Sequence, residues 1–188
     1  MKLTATVRAS TKKSDTKQIR REGKIPAILY SAGNPNQQLI LDAAEFNAIM
    51  RQMKQGHLGT TIFQLQMDGK SKRAIIKDIQ YQLTTYIVSH IDFEELFDDI
   101  PVNVKVPIQC TGVAECVGIK LGGFLRQVIR HVRVECLPRH IPAEFQIDVK
   151  DLGIKQSKTL SDIKIPQGVK PLAQMDEVVV VVSKRAAT

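Results

Sequence analysis

His90 and Asp92 stand two residues apart in Ser89-His90-Ile91-Asp92-Phe93, a spacing that on a strand puts an imidazole and a carboxylate on the same face. Such a pair can be half of a nucleophile–base–acid relay, a corner of a metal site, a polar pair that orients itself at a sheet edge, or a reader of nucleic acid. A relay needs a nucleophile in its own context, and no serine or cysteine near the pair has one. Two readings stay open. In one the pair only braces the fold. In the other the histidine stacks on or hydrogen-bonds to a base, and the carboxylate accepts from a base amino group.

The remaining candidates for chemistry are weaker. Cys110, Cys116 and Cys136 show no CxxC spacing, and a tetrahedral zinc site built on them would need His131 or His140 as well. Reduced thiols are the simpler reading, and a disulfide framework does not suit a cytosolic chain of this size. Gly118-Ile119-Lys120-Leu121-Gly122-Gly123 lacks the Gly-Lys-Ser/Thr ending of a phosphate loop. HExxH and GxSxG are absent too. We therefore expect no catalytic activity, no cofactor, no metal and no small-molecule substrate.

Charge points elsewhere. The 188 residues carry a net +8. Residues 1–24 hold eight Lys and Arg against Asp15 and Glu22, a net +6, whereas 25–99 carry −3 and 100–188 carry +5. A basic stretch at the start of a folded domain suits contact with phosphates. The +5 of the second half is spread along the chain and reads as a generally basic surface. Apolar runs such as Val178–Val182 are far shorter than the ~20 residues of a membrane span. The N-terminus lacks the apolar core of a signal peptide, so we expect a cytoplasmic protein without membrane contact.

The elements that must position these groups follow from periodicity. Leu3, Ala5 and Val7 alternate with polar residues, as in a half-buried strand. Asp15–Glu22 reads as a short helix stopped by Gly23, with Lys17, Arg20 and Arg21 on one face and Ile19 turned inward. Pro26–Tyr30 and Gln38–Leu41 read as strands around a turn at 31–36. Asp42 opens a helix as its cap, with Glu45 completing a capping-box pattern. Phe46, Ile49, Met50 and Met53 form its core stripe, and Gly56 ends it. Thr61–Met67, Arg73–Gln80 and Tyr86–Phe93 are strands, with Asp68-Gly69 as a hairpin turn.

The fold expected is mainly β. Residues 1–95 form an antiparallel β-barrel with two or three short helices. After the acidic run Glu94–Asp99, residues 96–188 form a second, mostly β domain. There Val102, Val104, Val106 and Ile108 alternate, as do Phe145, Ile147 and Val149, and prolines crowd.

Several segments carry a family resemblance. Arg20-Arg21-Glu22-Gly23-Lys24-Ile25-Pro26-Ala27-Ile28-Leu29-Tyr30 resembles a signature of bacterial large-subunit ribosomal protein number twenty-five, which binds 5S ribosomal RNA. Lys77–Gln80, His90–Phe93 and Cys136–Pro142 agree in order and spacing, as do Gly122-Gly123 and Asp176–Val180. The resemblance spans nearly the whole chain. It is to the long form, called CTC or general stress protein, which adds a C-terminal β domain. It implies a structural constituent of the large ribosomal subunit, associated with ribosomes, whose N-terminal domain docks on an internal loop of 5S rRNA. It implies neighbouring large-subunit components as further partners.

Carried over by position, the RNA-contacting residues are Arg8, Lys12, Lys13, Lys17, Arg20, Tyr30, Gln80, His90 and Asp92. The sequence departs from the family pattern in places. Lys17-Gln18 stands where two arginines are usual, so a point charge replaces a guanidinium fork. A glycine usual near Lys13 is missing, Ser31 stands where glycine usually follows the tyrosine, and Gln82-Leu83 replaces a frequent His-Pro. A tRNA-reading module and a protein-interaction adaptor are the rival readings.

Overall fold

The alternation of Leu3 and Ala5 with exposed threonines makes β1 (Lys2–Val7), the first stave of a closed barrel. The computed structural model describes residues 1–8, 13–67 and 69–184, excluding the side chain of Lys13. The chain divides into two compact units, Met1–Ile100 and Pro101–Thr188.

In the first unit, α1 (Lys13–Arg21) ends where Gly23 takes φ 73°, a left-handed conformation that glycine adopts without a steric cost. Its N–H donates to the Arg20 carbonyl, closing the last turn. Next come β2 (Lys24–Ser31) and β3 (Asn34–Asp42), joined at Ala32-Gly33. The turn expected over 31–36 is therefore only two residues long, and Pro35 lies within β3.

Asp42 caps α2 (Ala43–Gln52), its Oδ1 accepting from the N–H groups of Ala44 and Glu45 at 2.8 and 2.9 Å. The expected capping box does not close, because the Glu45 carboxylate accepts from Thr4 N–H of β1 instead. The helix also stops before Gly56, which opens a 3₁₀ turn over His57–Thr60. Three strands complete the unit: β4 (Ile62–Met67), β5 (Lys70–Tyr81) and β6 (Val88–Glu95).

The barrel runs β1-β3-β2-β6-β5-β4 and back to β1. It is mixed: the β1–β4 and β2–β6 seams are parallel and the others antiparallel. Alternation predicts strands but not the direction of their neighbours, so the two parallel seams correct the wholly antiparallel expectation. The interior holds Leu3, Leu29, Leu39, Leu65, Ile91, Phe63 and Phe93, and α2 adds Phe46. Phe63 and Phe93 meet edge to face, centroids 6.1 Å apart. Truncating either to alanine would cost about 3–5 kcal/mol.

The second unit is also mainly β. It contains β7 (Val102–Thr111), a short α3 (Val117–Lys120), β8 (Gly123–Gln127), β9 (His131–Cys136), β10 (Phe145–Asp148), β11 (Ser157–Thr159), β12 (Val169–Pro171) and β13 (Val178–Lys184). One sheet runs β10-β7-β9-β12 and a second runs β11-β13-β8. Val104, Val106, Val132, Val134, Val179, Val180 and Val182 are among its buried side chains. Gly118 and Gly123 have a packing role. A Cβ at Gly118 would sit 2.8 Å from the Leu152 carbonyl oxygen, and one at Gly123 would sit 2.7 Å from the Gly118 oxygen.

Candidate nucleic-acid interface

Strand register assembles a band across the outside of the barrel. Val7 faces Leu39, which brings Arg8, the next residue, beside Gln38: the Arg8 N–H donates to the Gln38 carbonyl. Gln38 lies opposite Ile28, Ile28 opposite Asp92, and Asp92 opposite Asp78. One step along, Gln80 faces His90, and Tyr30 follows Ile28 on the same face of β2. Side chains of one strand face alternate sides, so Leu29, Ile91 and Phe93 fill the barrel while Tyr30, His90 and Asp92 stay outside.

Asp92 is the hub. Tyr30, 38% exposed, donates its hydroxyl hydrogen bond to the carboxylate. Partial burial first, and then the Asp92 charge, push the phenol above its ordinary range. On the other side His90 Nδ1 comes within 2.7 Å of Asp92 Oδ1, with the side chains only 15% and 21% exposed. Both atoms are shut from solvent, so this close pair is what each of them meets. Arg8 Nε and Gln38 Oε1 are also shut in, and these two are unpartnered, while Arg8 Nη1 reaches the Thr16 hydroxyl at 3.3 Å. A buried polar atom without a partner costs free energy, so unpaired donors and acceptors gathered in one band mark a surface suited to a polar ligand.

Helix α1 supplies the charge beside this band. Ile19 anchors it, and Arg20 Nε donates to the Ser89 carbonyl at 2.9 Å, next to His90. Lys17 and Arg21 are exposed and form no ion pair with a described residue. Glu22 does not cancel them, because the Gln18 amide and then Lys24 engage its carboxylate and hold it below the usual carboxylate range. Three of the four cations of β5 are spent in ion pairs: Lys72 on Glu95, Arg73 on Asp98 and Lys77 on Glu94, at 2.9, 2.7 and 2.7 Å.

Of the residues singled out in the sequence, Arg8, Arg20, Tyr30, Gln80, His90 and Asp92 thus come together, with Lys17 exposed on α1. Lys12 lies outside the described residues, as does the side chain of Lys13. Sequence reasoning missed Gln38, whose place follows only from its lateral register with Arg8 and Ile28, and the Ser89 carbonyl. It had placed Arg21 on the basic face of α1 without counting it as a contact. No group of His, Cys, Asp and Glu among the described residues is arranged to hold a metal ion. The three cysteines are free thiols, and burial raises the pKa of Cys110 and Cys136.

Comparison with known proteins places this architecture. Residues 3–93 match the model of the Ribosomal L25p family, and residues 101–186 match that of the ribosomal protein TL5 C-terminal domain. Both halves of the chain are thus domains of ribosomal proteins. The relative named large ribosomal subunit protein bL25 from Chlamydia pneumoniae is 46% identical over 185 residues, covering 98% of this chain and all of the relative. Its namesakes from Chlamydia muridarum and from Chlamydia trachomatis serovar D are 46% and 45% identical over the same length. The chain belongs to the Ribosomal L25p family, in its long form with a C-terminal domain.

Proposed function

We propose that this chain is a non-catalytic structural constituent of the large ribosomal subunit, and that the outer band of its barrel binds 5S ribosomal RNA. Membership of a ribosomal protein family supports the first part. The observation that carries the second is the gathering of the unpartnered Arg8 Nε and Gln38 Oε1 and the His90–Asp92 pair beside the free cations of α1. Lys17 and Arg21 neutralise phosphates. Tyr30, Gln80, His90 and Asp92 supply directional hydrogen bonds to base edges and riboses of an irregular duplex. No helix is long and apolar enough to cross a membrane among the described residues, and the charge suits an RNA partner.

Full-length protein titrated with isolated 5S rRNA, against tRNA as competitor, tests this. Asp92→Ala and His90→Ala should each weaken 5S binding by roughly 1–3 kcal/mol, the scale of a good base-reading contact, with little change in salt dependence. Lys17→Ala should instead reduce the salt slope by about 0.7–0.9, as one released counterion requires. Equal affinity for tRNA would favour the tRNA-reading alternative. Unchanged binding and unchanged melting in Asp92→Ala would remove the band from the interface.

A further inference from the structure

The second unit carries a charged face that its own fold does not use. In the β10-β7-β9-β12 sheet, Lys105 of β7 stands directly across from Arg133 of β9, and Pro107 across from His131. Val104, Val106, Val132 and Val134 point into the core, so Lys105, His131 and Arg133 point out, and all three are exposed. Arg130, exposed, precedes His131, and exposed Lys170 of β12 lies across from Glu135. Sequence alone spread the positive charge of this half evenly, because the residues concerned are distant in the chain. The register gathers part of it onto one face.

The arrangement works against stability. Like charges directly opposite on a sheet destabilise it. The crowding reaches a neighbour: burial first, then Lys105 and Arg130, hold the His131 imidazole below its ordinary pKa. Lys105, Arg130, Arg133 and Lys170 form no ion pair with a described residue, and Glu135 is the one acid in these two cross-strand rows. The face also lacks an apolar anchor: none of those rows holds a large exposed hydrophobe, and Leu172, 49% exposed, lies beyond the end of β12. Protein interfaces bury an apolar centre, whereas a polyphosphate asks only for cations.

We propose that the β7–β9–β12 face is a second RNA-contacting surface, gripping a phosphate backbone through Lys105, Arg130, Arg133 and Lys170 without reading bases. It rests on the reading of the chain as a ribosomal constituent, but not on the 5S site of the barrel. Contacts to phosphates carry no sequence information, so such a grip holds duplex RNA irrespective of sequence, and its affinity is strongly salt-dependent.

The test uses the full chain and a variant carrying Lys105→Gln, Arg130→Gln, Arg133→Gln and Lys170→Gln. Binding to a short RNA duplex unrelated to 5S rRNA is measured over a salt series, together with thermal unfolding and retention on washed large subunits. The variant should bind the duplex at least about tenfold more weakly at low salt. Its salt slope should shrink by roughly 0.9 for each phosphate no longer neutralised. Its melting temperature should hold or rise, because like-charge crowding is relieved. Undiminished duplex binding overturns the proposal. So does impaired subunit retention with unchanged duplex binding, which would assign the face to an acidic protein. Loss of 5S preference in His90→Ala bears only on the barrel site, so the two readings fail separately.

Discussion

Asp92 serves two neighbours at once, and the tyrosine makes its state measurable. A phenol that is partly buried and hydrogen-bonded to a carboxylate loses its proton late. The Tyr30 pKa is raised, so the neutral phenol stabilises the fold fully below the unfolded value of about 10, and that contribution is lost as pH climbs through the higher folded value. With Tyr81 and Tyr86 replaced by phenylalanine, ultraviolet titration reports Tyr30 alone, as these are the other two tyrosines. Asp92→Asn should bring its pKa down part of the way, leaving the share that comes from burial, and should lessen the loss of stability at alkaline pH. An unmoved titration curve would mean that the carboxylate does not act on the phenol.

At the scale of elements, α1 matters because it is fixed in place. The Arg20–Ser89 hydrogen bond ties the basic helix to the strand that carries His90 and Asp92. Arg20→Lys keeps the charge but replaces the planar fork with a flexible point charge. We expect 5S affinity to fall by roughly 1 kcal/mol, about fivefold, with the salt slope unchanged. In Arg20→Ala, which removes the charge, a slope reduced as in Lys17→Ala would make Arg20 one more phosphate contact rather than a tether. Much of this element is legible in the sequence: Gly23 signals its end, Ile19 its inner face, and the i, i+3, i+4 spacing its basic face. The His90–Asp92 pair is legible because a strand has period two. Gln38 and the Ser89 carbonyl are not, because their role depends on which strand lies alongside, and that is decided by packing far away in sequence. The same holds for Glu45, whose carboxylate finds Thr4 on β1 rather than the start of its own helix.

For the molecule as a whole, the two parallel seams dictate an order of events. Leu3 pairs with Leu65 and Ile28 with Asp92, so the barrel cannot close until its last strand exists. Pairings this distant in sequence fold slowly, and an unclosed barrel exposes strand edges that invite pairing between chains. A fragment ending at Ile87 should therefore self-associate, whereas one ending at Ile100 should sediment as a monomer. A monomeric, folded 1–87 fragment would show that β6 is dispensable for closure. The seams also set a clock during synthesis. At ~5–20 residues per second, β1 waits roughly 3–12 s for β4 to be made. Throughout that interval the eight basic residues of positions 1–24 belong to an unfolded nascent chain, in reach of any RNA nearby before the surface that selects among RNAs has formed.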